Sequence, residues 1–211
     1  TGKGFYEKTK KKDANGKTII NALNLETLQY EPAIRPKIEL VKTAKAMGLM
    51  SKRLQYLVSG DSKEQNFFKD YFGTLLGYAA ARVPEISDQY YPLDDAMRTG
   101  YVWDFGPFEY WDLIGLERGM ELIKAQKGQI PQWILDLQAA GGTFFYKFEN
   151  GQKKYFNIQS KTYEPLPGTE SFILLDSYRE QAPVLKNSEC TVHDIGDGVL
   201  CLEFTSKSNS I

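Results

Sequence analysis

The chain has 211 residues, of which 42% are hydrophobic and 25% charged, so it has the length and composition of one large globular domain or two small ones. Its formal net charge of −1 gives no electrostatic reason to expect a nucleic acid or an anionic membrane surface as partner. No apolar run approaches the ~18 residues of a membrane span. Cys190 and Cys201 are too few for a disulfide framework, which favours a reducing, cytoplasmic location.

The first 17 residues, "TGKGFYEKTKKKDANGK", are basic and spaced by glycines. They lack a signal-peptide pattern and do not begin with methionine, so we expect them to come from the interior of a longer chain. The lysines between Lys8 and Lys12 could contact phosphate. A solvated loop is the favoured interpretation, because no basic helix face follows them. Residues 18 to 31 have no clear period and are predicted to be extended or turn-rich.

Helical patterns begin at Pro36, and a second short helix is predicted from Ser51 to Val58. A long helix follows, capped at its start by Asp61 or Ser62 and ended by Pro84. Its apolar residues recur at steps of three and four and form one broad stripe: Phe68, Phe72, Leu75, Leu76, Ala79 and Val83.

Glycines mark the points where helices of this region pack closely or end. Gly73 and Gly77 lie inside the long helix and predict the close approach of a neighbouring helix. The next helix is predicted from Pro92 to Arg98, with its stop at Gly100. Gly141 and Gly142 are predicted to close a last helix that begins near Pro131.

The segment "GPFEYWDLIG", residues 106 to 115, predicts a short helix between two glycine corners. Gly106 is a plausible N-cap, Pro107 suits the first helical position, and Glu109 adds favourable charge in the first turn. Gly115 stands where a left-handed C-terminal residue would be needed before a new helix begins at Leu116. Three apolar side chains of the segment fall on one side of the helix: Phe108, Trp111 and Ile114.

The pattern becomes β-rich after Gly142. A hairpin is predicted around Asn150-Gly151, within "TFFYKFENGQKKYFNIQ". The segment "SFILLDSY" is predicted to be a buried strand. Residues 189 to 204 are interpreted as two strands around Gly196 to Gly198.

Few residues of the sequence suggest chemistry. No glycine-rich phosphate-binding motif is present, and no cluster of cysteine and histidine has metal-ligand spacing. His193 is the only histidine, and an ordinary strand or turn residue is its favoured interpretation. Asp94 and Asp95 stand at a helix start, where capping is the usual role.

Glu109 and Asp112 are three residues apart and therefore lie on one helix face. In a cleft they could share a proton and act as acid and base. The alternative is one exposed carboxylate and one that caps the helix after Gly115. Nearby aromatic residues could line a ligand pocket, but core or interface positions are more typical of this spacing: Trp103, Phe105, Phe108, Tyr110 and Trp111.

The stretch "PLDDAMRTGYVWDFGPFEYWDLIGLERG" resembles the C-terminal helical domain of 3-hydroxyacyl-CoA dehydrogenases, which have an "IDxAM"-like helix followed by "GPFELxDxxGL". Tyr110 departs from the usual leucine, and the stretch from Arg82 to Asp88 is similar to an "RIPEIAD" segment of long members. The resemblance covers residues 61 to 125 well. The matching positions are Leu93, Asp94, Ala96 and Met97, then Gly106, Pro107, Phe108, Glu109, Asp112, Gly115 and Leu116.

Both ends add to this resemblance. "TGKGFYEK" is similar to the tail of a first copy of the domain, and "IGDGVLCLEFTSKSNSI" resembles the opening strands of the enoyl-CoA hydratase fold, with Asn209 and Ile211 at its "N-A-L"-like turn. The resemblance implies a mainly α fold followed by a β-rich segment. The implied divisions are a first-copy tail at 1–17, a connector with short helices at 18–60, the second helical domain at 61–140, a β-rich connector at 141–186 and the hydratase-like start at 187–211.

The resemblance implies a parent enzyme of fatty-acid β-oxidation that oxidises 3-hydroxyacyl-CoA with NAD and is fused to an enoyl-CoA hydratase. NAD would be bound by the parent's nucleotide-binding domain. No catalytic, cofactor-binding or metal-binding residue is expected in this chain, which is expected to be inactive alone and to pack domains together or wall the acyl pocket. The alternative is a purely structural module for scaffolding or homodimerisation. Nucleic-acid binding through Lys8 to Lys12 is the third, least favoured class.

Overall fold

The computed structural model describes residues 4–34, 37–149, 152–171, 173–179 and 181–206. Several positions that the sequence singles out lie outside these residues: Pro36, Asn150, Gly151, Asn209 and Ile211. The chain divides into two compact units, Thr1–Thr43 and Ala44–Ile211.

The first unit contains a three-stranded antiparallel sheet of β1 (Tyr6–Lys12), β2 (Thr18–Leu23) and β3 (Tyr30–Pro32), in that order. The predicted solvated loop at the lysine run is therefore wrong, since these lysines belong to β1. Asp13 stabilises the turn after β1, because its carboxylate accepts hydrogen bonds from the backbone N–H groups of Asn15 and Lys17, each at 2.9 Å. The turn allows β1 to pair with the extended residues that follow it.

Helices fill the middle of the chain, as the sequence predicts. In the described residues they are α1 (Glu39–Ala46), α2 (Met50–Leu57), α3 (Lys63–Ala81), α4 (Tyr91–Tyr101), α5 (Pro107–Ile114), α6 (Leu116–Ala125) and α7 (Gln132–Ala139).

Helix α3 begins and packs as its sequence predicts. The Ser62 hydroxyl accepts a hydrogen bond from the backbone N–H of Gln65 at 3.2 Å, and the Gln65 side chain accepts one from the backbone N–H of Ser62. A Cβ atom on Gly73 would lie 2.5 Å from the backbone oxygen of Leu122, and one on Gly77 would lie 3.3 Å from Ile123. The two glycines therefore let α6 approach α3 closely, which confirms the prediction.

The helix boundaries around α5 are set by two residues with positive φ. The predicted stop of α4 at Gly100 is wrong, because the helix continues to Tyr101 and Val102 adopts the left-handed conformation with φ 56°. Its backbone N–H bonds to the oxygen of Met97, which closes the helix without a glycine. Gly115 separates α5 from α6, as predicted, but with φ 105° and ψ 138° it is not in the predicted left-handed helical conformation.

An aromatic core lies where α5 meets its neighbours in the second unit. Phe108, Trp111 and Ile114 are buried on one side of α5, as the sequence predicts. The Phe108 ring lies 5.1 Å from that of Tyr90 and 5.2 Å from that of Phe145, measured between centroids. These contacts join α5 to the segment before α4 and to the start of the β-rich region.

Two further antiparallel sheets follow the helices. The first consists of β4 (Tyr146–Glu149), β5 (Gln152–Asn157) and β6 (Thr162–Pro165), and the second of β7 (Leu185–Lys186), β8 (Cys190–Asp194) and β9 (Leu200–Phe204). The predicted hairpin pairing and the two strands within 189–204 are confirmed. The predicted buried strand "SFILLDSY" is wrong: it holds one 3₁₀ turn at Leu175–Ser177, and Ile173 is 59% exposed.

Candidate functional site

Three carboxylates that the sequence singles out lie around the junction of α4, α5 and β4, and we call them the carboxylate cluster: Asp94, Glu109 and Asp112. Asp94 is in the first turn of α4, and Glu109 and Asp112 are on α5. Each carboxylate accepts hydrogen bonds from backbone N–H groups of the protein. An acid–base pair of Glu109 and Asp112 would lie in this cluster.

Asp94 caps a helix, but the helix is α5 and not its own. Its side chain is fully buried, and its two oxygens accept hydrogen bonds from the backbone N–H groups of Phe108 at 2.9 Å and Glu109 at 3.2 Å. The hydroxyl of Tyr146 donates a third bond at 2.8 Å. A Cβ atom on Gly106 would overlap Asp94, so the glycine before Pro107 is required by this contact. Asp95 pairs with Arg98 instead.

Glu109 closes the first turn of α5 and forms two ion pairs. Its carboxylate accepts a hydrogen bond from the backbone N–H of Gly106 at 2.9 Å and contacts Arg98 and the Lys153 ammonium, the latter at 2.9 Å. The Glu109 side chain is only 11% exposed, so these partners replace solvent. The Glu109 carboxylate is therefore fully engaged by groups of the protein.

Asp112 fastens the β-rich region to α5. Its two oxygens accept hydrogen bonds from the backbone N–H groups of Phe145 at 2.7 Å and Tyr146 at 2.9 Å. The predicted alternative of one exposed carboxylate and one that caps the helix after Gly115 is wrong. Glu109 is held within its own helix start, and Asp112 bonds to the backbone that enters β4.

Burial shifts the pKa of two buried aspartates of this junction, Asp94 and Asp112. It raises the pKa of Asp94 from 3.8 to about 7, against the opposing effects of the Phe108 N–H and the Tyr146 hydroxyl. Burial also raises the pKa of Asp112 well above its usual range, although the N–H groups of Phe145 and Tyr146 lower it. Such shifts accompany catalytic carboxylates, but they also follow from burial of a capping carboxylate.

The shift at Asp94 predicts a pH-dependent cost for the Asp94→Asn variant. The folded state binds the Asp94 proton more tightly than the unfolded state, so Asp94 adds stability as pH falls from about 7 towards 3.8. Asparagine does not titrate, so the loss of unfolding free energy in the variant should be larger at low pH, with a slope of at most ~1.4 kcal/mol per pH unit. Urea unfolding of both proteins across this range measures it. A loss that grows with rising pH would contradict this assignment.

Three cavities on the described residues lie away from the carboxylate cluster. One of about 450 Å³ lies between the start of α6 and the end of α7, and is lined by residues that include Leu116, Arg118 and Phe144. A second of about 510 Å³ lies on the outer face of α3, and a third of about 750 Å³ on the sheet of the first unit. None of the three is lined by a member of the carboxylate cluster. The cluster therefore faces protein donors, and the geometry is that of a structural junction.

His193 lies on β8, as predicted, and is 4% exposed. Its Nε2 atom is 2.9 Å from a carboxylate oxygen of Glu203, which also pairs with Arg179. Cys190 and Cys201 are free thiols on β8 and β9. Over the described ranges, no three side chains of histidine, cysteine, aspartate or glutamate are grouped as a metal site would require.

The aromatic residues near the cluster divide into two groups. Phe108 and Trp111 are fully buried, which confirms their predicted core positions. Trp103 and Phe105 pack against Tyr110 with ring centroids 6.2 Å and 5.6 Å away. All of these contacts are between protein rings.

Comparison with known proteins supports the family resemblance of the sequence. The whole chain is 33% identical over 211 residues to a "Probable 3-hydroxyacyl-CoA dehydrogenase" of Bacillus subtilis (strain 168) and covers 26% of that protein. A "Putative fatty acid oxidation complex trifunctional enzyme" of Rickettsia prowazekii (strain Madrid E) is 29% identical over 120 residues, which are 57% of this chain and 15% of the relative. A Rickettsia felis protein of the same name is 28% identical over 121 residues, again 57% of the chain and 15% of the relative.

These relatives confirm the predicted resemblance to 3-hydroxyacyl-CoA dehydrogenases. The chain spans about a quarter of the length of the Bacillus subtilis relative and less of the other two. No protein-family model and no solved structure matches it. Among the described residues, no helix is both long enough and apolar enough to cross a membrane.

Proposed function

We propose that this chain is part of a 3-hydroxyacyl-CoA dehydrogenase that oxidises 3-hydroxyacyl-CoA to 3-oxoacyl-CoA with NAD in fatty-acid β-oxidation. The observation that carries the proposal is the similarity of the entire chain to one quarter of a Bacillus subtilis protein of that name. A cytoplasmic location is part of the proposal and is supported by the two free thiols.

NAD is proposed to bind to a part of the enzyme outside this chain. All strand pairs in the described residues are antiparallel, whereas dinucleotide-binding domains have a parallel sheet with a glycine-rich turn. The sequence has no G-x-G-x-x-G motif. The residues present therefore do not fit the cofactor.

The role proposed for this region is to pack domains together and to wall the acyl pocket. The contacts of the carboxylate cluster support a packing role, because each carboxylate is held by groups of the same chain. The divisions proposed from the resemblance are 1–17, 18–60, 61–140, 141–186 and 187–211, the last as the start of a hydratase-like domain. The two Rickettsia relatives named as trifunctional enzymes support a fusion of activities.

The alternative function is a purely structural module that contacts other proteins and never substrate. The exposed side of α3 favours it, since Phe67, Tyr71 and Tyr78 are 64%, 45% and 63% exposed and line one groove. A surface of this kind is typical of a packing interface. In this alternative the face binds another copy of the chain or another domain.

The experiment begins with the genomic reading frame on both sides of the chain. A strand followed by G-x-G-x-x-G upstream, with hydratase sequence downstream, is expected. The larger enzyme should then form NADH from a 3-hydroxyacyl-CoA, and the 211-residue chain alone should not. Turnover by the isolated chain would reject the assignment of the chemistry to other parts of the enzyme. Full activity after deletion of residues 61–140 would reject the packing role.

A further inference from the structure

The sheet of the first unit has no buried side chain among residues 4–34. A sheet in a stable domain covers at least one of its faces with another layer. Five large apolar side chains of this region are instead 67–91% exposed: Phe5, Tyr6, Leu25, Leu28 and Ile34. The sheet therefore presents an apolar surface that a partner can cover.

One face of this sheet combines apolar side chains with a lysine. A groove of about 750 Å³, which we call the sheet groove, is lined by six residues: Tyr6, Lys8, Ile20, Ala22, Ala33 and Ile34. The register places Lys8 directly opposite Ile20, so the two side chains share one face. Lys10 is two residues further along β1, a distance of about 7 Å. Cationic and apolar groups thus lie side by side.

The β1–β2 hairpin that carries most of the groove, residues 6–23, is locally cationic. It contains five lysines and two carboxylates, a formal charge of +3 in a chain whose net charge is −1. Strand alternation places Glu7 on the other face from Lys8, and Asp13 is engaged by the backbone of its own turn. Within the part of the chain that the structure describes, no ion pair is found for the five lysines: Lys8, Lys10, Lys11, Lys12 and Lys17.

Glu31 is the carboxylate that the register brings towards the groove, since it pairs with Ala22. Its oxygens accept hydrogen bonds from the Asn24 side-chain amide at 3.2 Å and 3.3 Å, and one accepts a bond from the Thr27 hydroxyl at 3.4 Å. Strand β2 lies between β3 and β1, which separates the two outer strands by about 10 Å. Glu31 is thus held beside the β2–β3 turn, and β1 keeps its positive charge.

This arrangement favours an anionic bilayer over duplex nucleic acid. Nucleic acid would use the lysines and leave the sheet groove in water. A lysine can lay its methylene stem along apolar surface while its ammonium group reaches a charged layer. At the surface of a bilayer, apolar side chains enter the boundary between headgroups and acyl chains, and lysines beside them contact anionic headgroups. The charge complementarity of the groove face is with such a surface.

We propose that the first unit docks on the surface of a bilayer that contains anionic phospholipid. Tyr6, Ile20 and Ile34 would lie at the boundary between headgroups and acyl chains, and Lys8 and Lys10 would contact lipid phosphates. The chain lies on the bilayer and does not cross it. The inference does not depend on the proposed function, which the dehydrogenase assay tests separately.

Co-sedimentation of the 211-residue chain with phosphatidylcholine vesicles, with and without phosphatidylglycerol as about one third of the lipid, tests the proposal. Binding is expected to the anionic vesicles only and should be lost at high salt. Replacing Lys8, Lys10 and Lys12 together with glutamine should weaken this binding at least about tenfold, because each lysine near an anionic surface adds to the attraction.

Two further variants separate docking from folding. Ile34→Ser changes an exposed position outside the strands and should weaken vesicle binding without unfolding the sheet. The matched control places glutamine at three exposed lysines of the second unit and should leave binding unchanged: Lys63, Lys124 and Lys127.

Absence of binding to anionic vesicles, or equal binding of the triple lysine variant and its control, would overturn the proposal. Lysine-dependent binding of duplex DNA without binding to anionic vesicles would overturn it in favour of nucleic acid. The larger enzyme should bind the anionic vesicles as the chain does. Binding by the chain and not by the larger enzyme would show that another domain covers the sheet groove, which would also overturn the proposal.

Discussion

Replacing Gly119 with alanine is expected to lower the free energy of unfolding by about 3 kcal/mol, a large fraction of the stability of a typical domain. Gly119 lies on α6, and a Cβ atom there would overlap the indole of Trp111. Trp111 is fully buried, and its Nε1–H donates a hydrogen bond to the backbone oxygen of Leu116 at 3.0 Å. The indole cannot move aside without losing this bond and its core contacts.

Urea unfolding followed by tryptophan fluorescence measures this loss. Gly100→Ala is the matched control, because Gly100 is also helical and a Cβ atom there meets nothing within 4 Å. The control should be unchanged or more stable by up to ~1 kcal/mol, the helix preference of alanine over glycine. Equal unfolding midpoints for the two variants would contradict the packing of α6 on Trp111.

Replacing Asp94 with alanine is expected to cost about 3–5 kcal/mol. The variant leaves the backbone N–H groups of Phe108 and Glu109 and the hydroxyl of Tyr146 without their acceptor in a buried place. It also opens a cavity beside the aromatic core. No other single carboxylate of the cluster joins α4, α5 and β4 at once.

Asp95→Ala is the control for this variant. Asp95 is adjacent in sequence, but its side chain is 52% exposed and pairs with Arg98 on the surface of α4. An exposed ion pair of this kind contributes roughly 0–1 kcal/mol. Similar losses at the two positions would show that Asp94 does not hold the junction together.

Local signals were enough to predict α5 and its boundaries. Gly106 and Pro107 define the start, and Gly115 supplies the positive φ between α5 and α6. The apolar spacing of Phe108 and Trp111 predicts the buried face, because one turn of helix repeats every 3.6 residues. Each of these features depends on residues a few positions apart, so the local sequence is enough to specify the helix and its ends.

The partners of the carboxylate cluster could not be predicted in the same way. Tyr146 is 52 residues from Asp94, Lys153 is 44 from Glu109, and Phe145 is 33 from Asp112. No local pattern specifies pairs at such separations. The sequence therefore predicts that Asp94 caps its own helix, whereas its carboxylate caps α5. The β1 strand was missed for a different reason: its lysines resemble a solvated loop, and the strand is stabilised by pairing with β2.

The central claim is that the carboxylate cluster holds the fold together and that the chemistry occurs outside this chain. The most direct test measures kcat and the thermal unfolding midpoint, Tm, of the larger enzyme and of its Asp112→Asn variant. We predict a lower Tm, because the side-chain N–H₂ of asparagine cannot accept a hydrogen bond from a backbone N–H group as the second Asp112 oxygen does. At temperatures below that Tm, kcat should stay within about twofold of the parent value. A kcat reduced by about 100-fold with an unchanged Tm would contradict the claim.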